Sequence, residues 1–255
     1  TNTITGTGTG TSTRKLNYET KMPTITINRD MFEKLLGRKL PESQLKDRIS
    51  MLGTDLESVT PNKIVVEIFP NRPDLLSEQG FARAFGSFIG ISPGLKNYPI
   101  KDSGHTLIID SYVKKVRPFT ACGIVRGLSL DDEQVREIIQ MQEKLHITYG
   151  RNRRKVAIGI YPLDKIKFPI TFTAKKSSEI RFRPLGSEKE MTAAEILEKT
   201  AAGKEYSHLL KDFSIYPLFI DSNGKILSMP PIINSNDVGC VTRSTKDVFV
   251  ECSGH

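Results

Sequence analysis

The stretch from residue 215 to the end of the chain constrains the fold more than any other part of the sequence. Apolar runs flank Asn223-Gly224, and an Asn-Gly pair in that setting predicts a β-hairpin with a type I′ turn. The second strand carries Ser228 and stops at Pro230-Pro231, since proline cannot continue regular strand pairing. The backbone after Ser228 is therefore free to line a cavity.

A further apolar strand, Val248–Gly254, carries two isolated polar side chains. Glu251 and Ser253 are two residues apart, so a strand places both on the same face. Apolar strands with a few hydrogen-bonding side chains are typical of small-molecule pockets. The same pattern also fits a sandwich core whose polar groups face water. The spacing alone leaves both interpretations open.

Charge and cysteine content limit the class of protein. A net charge of +8 and an isoelectric point near 9.3 favour a polyanionic partner, or a lysine-rich solvated surface. Cys122, Cys240 and Cys252 show neither metal-ligand spacing nor an even disulfide framework, which indicates a reducing compartment. The sequence has no apolar run of membrane-spanning length and no secretory leader, so we expect a cytoplasmic protein without a membrane partner.

The order of patterns predicts a mixed α/β (α+β) chain with two domains. Residues 1–21 are low in complexity, and we expect them to be a disordered leader or tail outside the fold, with Met22 as the natural start. Residues 22–92 read as a small N-terminal α/β module, and the Gly- and Pro-containing residues 93–105 as a linker. Residues 106–255 read as a mixed β-sheet domain with helices.

Two capping boxes predict where helices of the second domain begin. They pair Asp131 with Gln134 and Thr192 with Glu195. Catalytic motifs are scarce, because the sequence lacks a phosphate-binding loop, H-E-x-x-H and G-x-S-x-G. The four histidines also lack ligand spacing, so we expect no metal site.

A basic cluster directly precedes the apolar strand that starts at Val156. It consists of Arg151, Arg153, Arg154 and Lys155. Such clusters are usually solvated surface. Next to a candidate pocket, the same residues could hold the phosphates of a single-stranded nucleic acid.

Six segments in the same order resemble one known family. They are Met22–Thr24, Asn71–Leu76, Gln142–His146, Arg154–Gly159, Ser228–Asn234 and Val248–Gly254. Together they are similar to the β subunit of phenylalanyl-tRNA synthetase in its archaeal and eukaryotic form. The resemblance runs from about Met22 to the last residue and is far more specific than any single segment.

The resemblance implies an editing function, in which tRNA(Phe) wrongly charged with tyrosine is hydrolysed. By resemblance, Glu251 and Ser253 are the catalytic residues, and Phe219, Ser228 and Asn234 bind the substrate. In the resembled family, archaeal members have aspartate and threonine where Glu251 and Ser253 stand. Eukaryotic members have glutamate at the position of Glu251, as this chain does. It therefore stays open whether Glu251 accepts the tyrosyl hydroxyl or orients the attacking water.

The resemblance also implies partners. The α subunit of the family forms the aminoacyl-adenylate with ATP and Mg²⁺, within an α2β2 assembly, and we expect no cofactor in this portion. The expected partners are that subunit, tRNA(Phe) and its aminoacylated 3′ end. Two alternatives are a non-catalytic tRNA- or partner-binding assembly module and a free-standing trans-editing protein.

Overall fold

The computed structural model describes residues 23–255, so the expected leader at residues 1–21 lies outside the described residues. The first part of the chain forms an antiparallel sheet, ordered β1–β3–β2, that packs against helices. Its elements are β1 (Thr24–Asn28), α1 (Arg29–Leu36), α2 (Glu42–Met51), β2 (Asp55–Val59), β3 (Lys63–Glu67) and α3 (Glu78–Phe88). Alternate residues of β1 are buried, as expected for a strand with one face on the core.

The rest of the chain contains ten strands and three α-helices among the described residues. In chain order these are β4 (Leu107–Ile109), β5 (Phe119–Val125), α4 (Asp132–Ile147), β6 (Val156–Pro162), β7 (Ile170–Lys176), β8 (Arg181–Phe182), β9 (Met191–Thr192), α5 (Ala193–Lys199), α6 (Ala201–Tyr206), β10 (Ile215–Ile220), β11 (Ile226–Met229), β12 (Ile233–Asn234) and β13 (Val248–Gly254).

Two sheets from this part of the chain position the site. A five-stranded sheet has the order β12–β11–β10–β7–β4, and a three-stranded sheet has the order β5–β13–β6. The central strand β13 pairs antiparallel with both neighbours along its whole length. The predicted strand at 248–254 is therefore present, and the mixed α/β fold class is confirmed.

Two separate clusters of buried apolar side chains hold the chain together. One lies within residues 25–85, and the other lies within residues 113–249. Helix α4 also contributes to the first cluster, because its Leu145 packs against it. The predicted linker, residues 93–105, contains no helix or strand and is exposed throughout. The division into two domains stays a prediction.

Both predicted capping boxes are present. At the start of α4, Asp131 Oδ1 accepts from Gln134 N (2.8 Å), and Gln134 Oε1 accepts from Asp131 N (2.9 Å). At the start of α5, Thr192 and Glu195 make the same reciprocal pair. These bonds satisfy amide groups that have no partner inside the helix.

The predicted hairpin is present as β10 and β11, but the prediction of a type I′ turn was wrong. That turn needs positive φ at both central residues, whereas positive φ among the described non-glycine residues occurs only at 151–153. Here Gly224 alone is left-handed, with φ of 80°. Asp221 holds the turn, since its Oδ1 accepts from the amides of Asn223 (2.9 Å) and Lys225 (2.8 Å). The Asp221 amide donates to the Lys225 carbonyl (2.9 Å), which closes a three-residue loop, residues 222–224, with glycine at the left-handed position.

Candidate functional site

A cavity of about 330 Å³ lies between helix α4, strand β6 and the segment that follows β11. Its walls are mostly aliphatic. They include Val135, Ile138 and Ile139 of α4, Ile158 and Ile160 of β6, and Pro230–Ile233. Three of the substrate-site residues suggested by the sequence, Ser228, Asn234 and Glu251, supply polar groups to the same cavity. The arrangement suits a mainly apolar ligand with a hydrogen-bonding group.

The three polar residues meet around the hydroxyl of a residue that sequence reasoning missed. Tyr161 is fully buried, and its Oη lies 2.8 Å from Ser228 Oγ and 3.2 Å from Glu251 Oε1. Asn234 Oδ1 is farther away, at 3.5 Å. Tyr161 does not line the cavity, so it supports the polar residues from behind.

Strand register explains how residues so distant in sequence come together. Ser228 and Asn234 are partners across β11 and β12, and Glu251 of β13 lies opposite Gly159 of β6. Tyr161 is two residues beyond Gly159 and shares its face of the sheet. A Cβ at Gly159 would lie 2.5 Å from Glu251 Oε1 and closer still to the Tyr161 hydroxyl. Glycine therefore provides the space in which these two polar groups meet.

Glu251 is an unusual carboxylate. It is 2% exposed, and its Oε2 atom has no hydrogen-bond partner among the described residues. Burial raises the pKa of its carboxyl to about 7, against the opposing effects of the Arg117 charge and of the nearby Tyr161 and Ser253 hydroxyls. The site thus holds an acceptor that lacks a partner, in a residue that lines the cavity.

Ser253, the second expected catalytic residue, does not line the cavity. Its Oγ accepts from Arg117 Nε (3.0 Å), and its carbonyl accepts from Arg117 Nη2 (2.6 Å). Arg117 is itself 2% exposed, and burial lowers its pKa to about 10. Phe219 is also away from the cavity, because it is fully buried and stacks on Phe172 with ring centroids 4.3 Å apart.

Helix α4 is tied to β6 by side chains of the family-like segment 142–146. Strand β6 is at the edge of its sheet, so one side of Ile158 has no strand partner. Gln142 Nε2 donates to Ile158 O (2.6 Å), and Ile158 N donates to His146 Nε2 (2.8 Å). Because Nε2 accepts, neutral His146 carries its proton on Nδ1, which lies 3.2 Å from Glu143 Oε1. That contact is the main reason that the pKa of Glu143 is lowered.

The basic cluster is divided by a left-handed backbone turn. Arg151, Asn152 and Arg153 have φ between 51° and 63°, which directs Arg153 inward. Its Nη2 donates to Glu143 Oε1 (2.6 Å), and its Nη1 donates to the carbonyl of Ile232 (2.9 Å). The guanidinium also stacks 4.3 Å from the ring of Tyr206.

The other members of the basic cluster face outward or lie at the surface. Arg151 and Arg154 are exposed, and the half-buried Lys155 lies over the ring of Tyr149. Phosphate binding by these four residues stays a prediction, and Arg153 differs from the others because its guanidinium is bonded within the protein.

Within residues 23–255, no three His, Cys, Asp or Glu side chains come close enough to hold a metal ion. In the same range, Cys122, Cys240 and Cys252 are unpaired thiols. None of the helices described for these residues has the length and apolar character needed to cross a membrane.

Comparison with known proteins identifies the family. Over 238 residues the chain is 43% identical to the phenylalanine–tRNA ligase β subunit of Pyrococcus horikoshii, a match that covers 91% of this chain and 43% of that protein. The corresponding subunit of Methanosphaera stadtmanae is 39% identical over 233 residues, covering 91% and 42%. The chain thus spans less than half the length of these relatives. No protein-family model matches it.

A solved structure gives the same result. The crystal structure of an N-terminal fragment of the phenylalanyl-tRNA synthetase β subunit from Pyrococcus horikoshii matches with a TM-score of 0.85 and 42% identity. The match covers 91% of this chain and 68% of that fragment. Fold and sequence together place the chain among aminoacyl-tRNA synthetase subunits. It belongs to the phenylalanine–tRNA ligase β-subunit family.

Proposed function

We propose that this chain binds the tyrosyl group of mischarged Tyr-tRNA(Phe) in the cavity and hydrolyses its ester bond. The observation that carries the proposal is the unpartnered Glu251 Oε2 in a residue that lines an otherwise mostly aliphatic cavity. The aliphatic walls suit the aromatic ring, and the buried acceptor suits the phenolic hydroxyl. In the reaction, water adds to the ester carbonyl, the bond to the terminal ribose oxygen breaks, and that oxygen takes a proton.

Editing of this kind needs a pocket that demands a hydroxyl. An apolar pocket cannot strongly reject tyrosine, which only adds a hydroxyl to phenylalanine. A pocket with a buried acceptor can reject phenylalanine, because the bare ring leaves that acceptor desolvated and unpaired. This costs roughly 1–3 kcal/mol for a neutral group and more for a charged one. Glu251 and Ser228 are suited to this task.

The burial of these two residues favours recognition of the substrate over activation of water. Glu251 is 2% exposed and Ser228 is 1% exposed, so only a part of the ligand that penetrates fully can reach them. The ester stays attached to the end of the tRNA, nearer the solvent. We therefore assign Glu251 to the tyrosyl hydroxyl, with Ser228 and Asn234 beside it. Ser253 acts as a positioning residue that fixes Arg117 behind Glu251.

The family supports a proposal for the remaining partners. We propose that Arg151, Arg154 and Lys155 contact phosphates of the tRNA 3′ end, since they lie directly before β6, a wall of the cavity. In the whole protein, an α subunit would charge the tRNA with ATP and Mg²⁺ within an α2β2 assembly.

The test is to follow the release of labelled amino acid from Tyr-tRNA(Phe) and from Phe-tRNA(Phe) in the presence of the chain. We expect tyrosine to be released much faster than phenylalanine. The variant Glu251→Ala should lose this activity while still binding tRNA, whereas Glu188→Ala, which alters an exposed carboxylate, should keep it. Release no faster than in buffer, with tRNA binding intact, would instead favour a non-catalytic tRNA-binding module.

A further inference from the structure

The hydroxyl of Tyr161 lies within hydrogen-bond distance of two residues of the cavity, Ser228 and Glu251. Its Oη lies 2.8 Å from Ser228 Oγ and 3.2 Å from Glu251 Oε1, and these three residues belong to three different strands. The ring cannot move aside easily, because it is fully buried and packs against Phe249 with centroids 6.0 Å apart. The missing side chain of Gly159 leaves the space that the hydroxyl occupies.

The chemistry of a phenol sets what this contact can do. Tyr161 has one proton to donate and lone pairs with which to accept. When Glu251 is ionised, Tyr161 donates to Oε1, and Ser228 can donate to Tyr161. When Glu251 is protonated on Oε1, the direction reverses, so that Tyr161 accepts from Glu251 and donates to Ser228. In both states Oε1 is engaged, and Oε2 has no partner among the described residues.

We propose that Tyr161 is a positioning residue that keeps Oε2 of Glu251 available as the acceptor for a ligand hydroxyl and couples this carboxyl to Ser228. By donating to Oε1, the phenol stabilises the ionised carboxylate, in which Oε2 carries no proton. Without the phenol a larger fraction of Glu251 would be protonated, and a proton on Oε2 would turn the acceptor into a donor. The role in selectivity rests on the proposed function, whereas the coupling between Tyr161 and Glu251 does not.

The other charged or titratable groups near Glu251 are the same in the wild-type chain and in variants at Tyr161. On the elements around the carboxyl they are Arg117, Cys122 and Cys252, and across the cavity they are Glu143, His146 and Arg153. None of these is changed by a substitution at Tyr161, so a difference between variants reports the phenol.

The first experiment measures the titration of the Glu251 carboxyl by ¹³C NMR in the wild-type chain and in Tyr161→Phe. The hydrogen bond from Tyr161 lowers the pKa of Glu251, so its loss should shift the titration upward by about one pKa unit. Tyr216→Phe removes a hydroxyl from a partly buried tyrosine that packs against the same core, and it should cause no shift. An unchanged titration in Tyr161→Phe would overturn the proposal, whatever the function of the cavity.

A second variant covers the case in which Tyr161→Phe does not fold. Replacement of Tyr161 by 3-fluorotyrosine keeps the ring and makes the phenol a stronger donor, so the titration of Glu251 should move in the opposite direction, downward. No movement with the fluorinated residue would equally overturn the coupling.

The second experiment compares hydrolysis of Tyr-tRNA(Phe) and Phe-tRNA(Phe) by the same variants. Tyr161→Phe should lower the preference for tyrosine about tenfold, mainly by raising KM for the tyrosyl substrate. A preserved preference would remove Tyr161 from substrate selection even if the NMR shift is observed. If the wild-type chain hydrolyses neither substrate, the proposed function fails, and the NMR result still decides the coupling.

Discussion

The buried carboxyl of Glu251 should make the chain less stable as the pH rises, and Glu251→Gln should remove this effect. Burial raises the pKa of the folded state from the usual 4.5 to about 7. Between these two values the folded chain holds a proton that the unfolded chain has released. The stabilisation is therefore complete below about pH 4.5, and it is lost as the pH rises through 7.

The size of the effect follows from the same two values. Each unit of difference between the folded and unfolded pKa corresponds to 1.36 kcal/mol, so the interval from 4.5 to about 7 amounts to roughly 3 kcal/mol. Glutamine has nearly the same shape and cannot ionise. The free energy of unfolding of Glu251→Gln minus that of wild type should therefore increase by about 3 kcal/mol from pH 4.5 to pH 8, because only the wild type loses stability over this range.

The assay is urea unfolding of both proteins at several pH values between 4.5 and 8, at constant ionic strength. Taking the difference at each pH removes the contribution of every group that the two proteins share. Glu188→Gln, at an exposed position, serves as the control and should show a difference that does not change with pH. A pH-independent difference for Glu251→Gln would show that the carboxyl is as well solvated in the folded state as in the unfolded state. Glu251 would then not be a desolvated acceptor.

Two further predictions concern the ligand. Ser228→Ala should lower the preference for Tyr-tRNA(Phe) over Phe-tRNA(Phe) by roughly two- to tenfold, because one neutral hydrogen bond contributes about 0.5–1.5 kcal/mol. An unchanged ratio of the two deacylation rates would exclude Ser228 from recognition of the tyrosyl group. Replacing Arg151 and Arg154 by glutamine should weaken tRNA binding whichever amino acid is attached. The slope of the logarithm of affinity against the logarithm of salt concentration should also become shallower, by ~0.7 for each lost contact. An unchanged slope would show that these two residues are ordinary solvated surface.

Local features of the fold were predictable from sequence because their causes are local. The capping boxes at Asp131 and Thr192 each need only a partner three residues away, and both are present. The hairpin at Asn223-Gly224 was predicted for the same reason. Its turn type was predicted wrongly, because the carboxylate of Asp221 accepts two amide hydrogen bonds and stabilises a different loop. Sequence propensity does not include that competition.

The candidate site was only partly predictable. Glu251, Ser228 and Asn234 were named through a family resemblance, and the structure brings them to one cavity. Tyr161 was missed, since its hydroxyl meets Glu251 across 90 residues of sequence, and only strand register creates that contact. The inward direction of Arg153 depends on three successive non-glycine residues with positive φ. Such a conformation is disfavoured for L-residues and is not predicted from composition.

The two hydrogen bonds between α4 and Ile158 determine how the cavity can respond to a ligand. Gln142 and His146 are one helical turn apart and engage the carbonyl and the amide of the same residue. The helix can satisfy both groups at only one height and one rotation relative to the strand. The gap between α4 and β6 therefore has a set width before any ligand arrives. A side chain that enters this gap is therefore selected by the fixed separation of its walls, without closure of the helix onto the ligand.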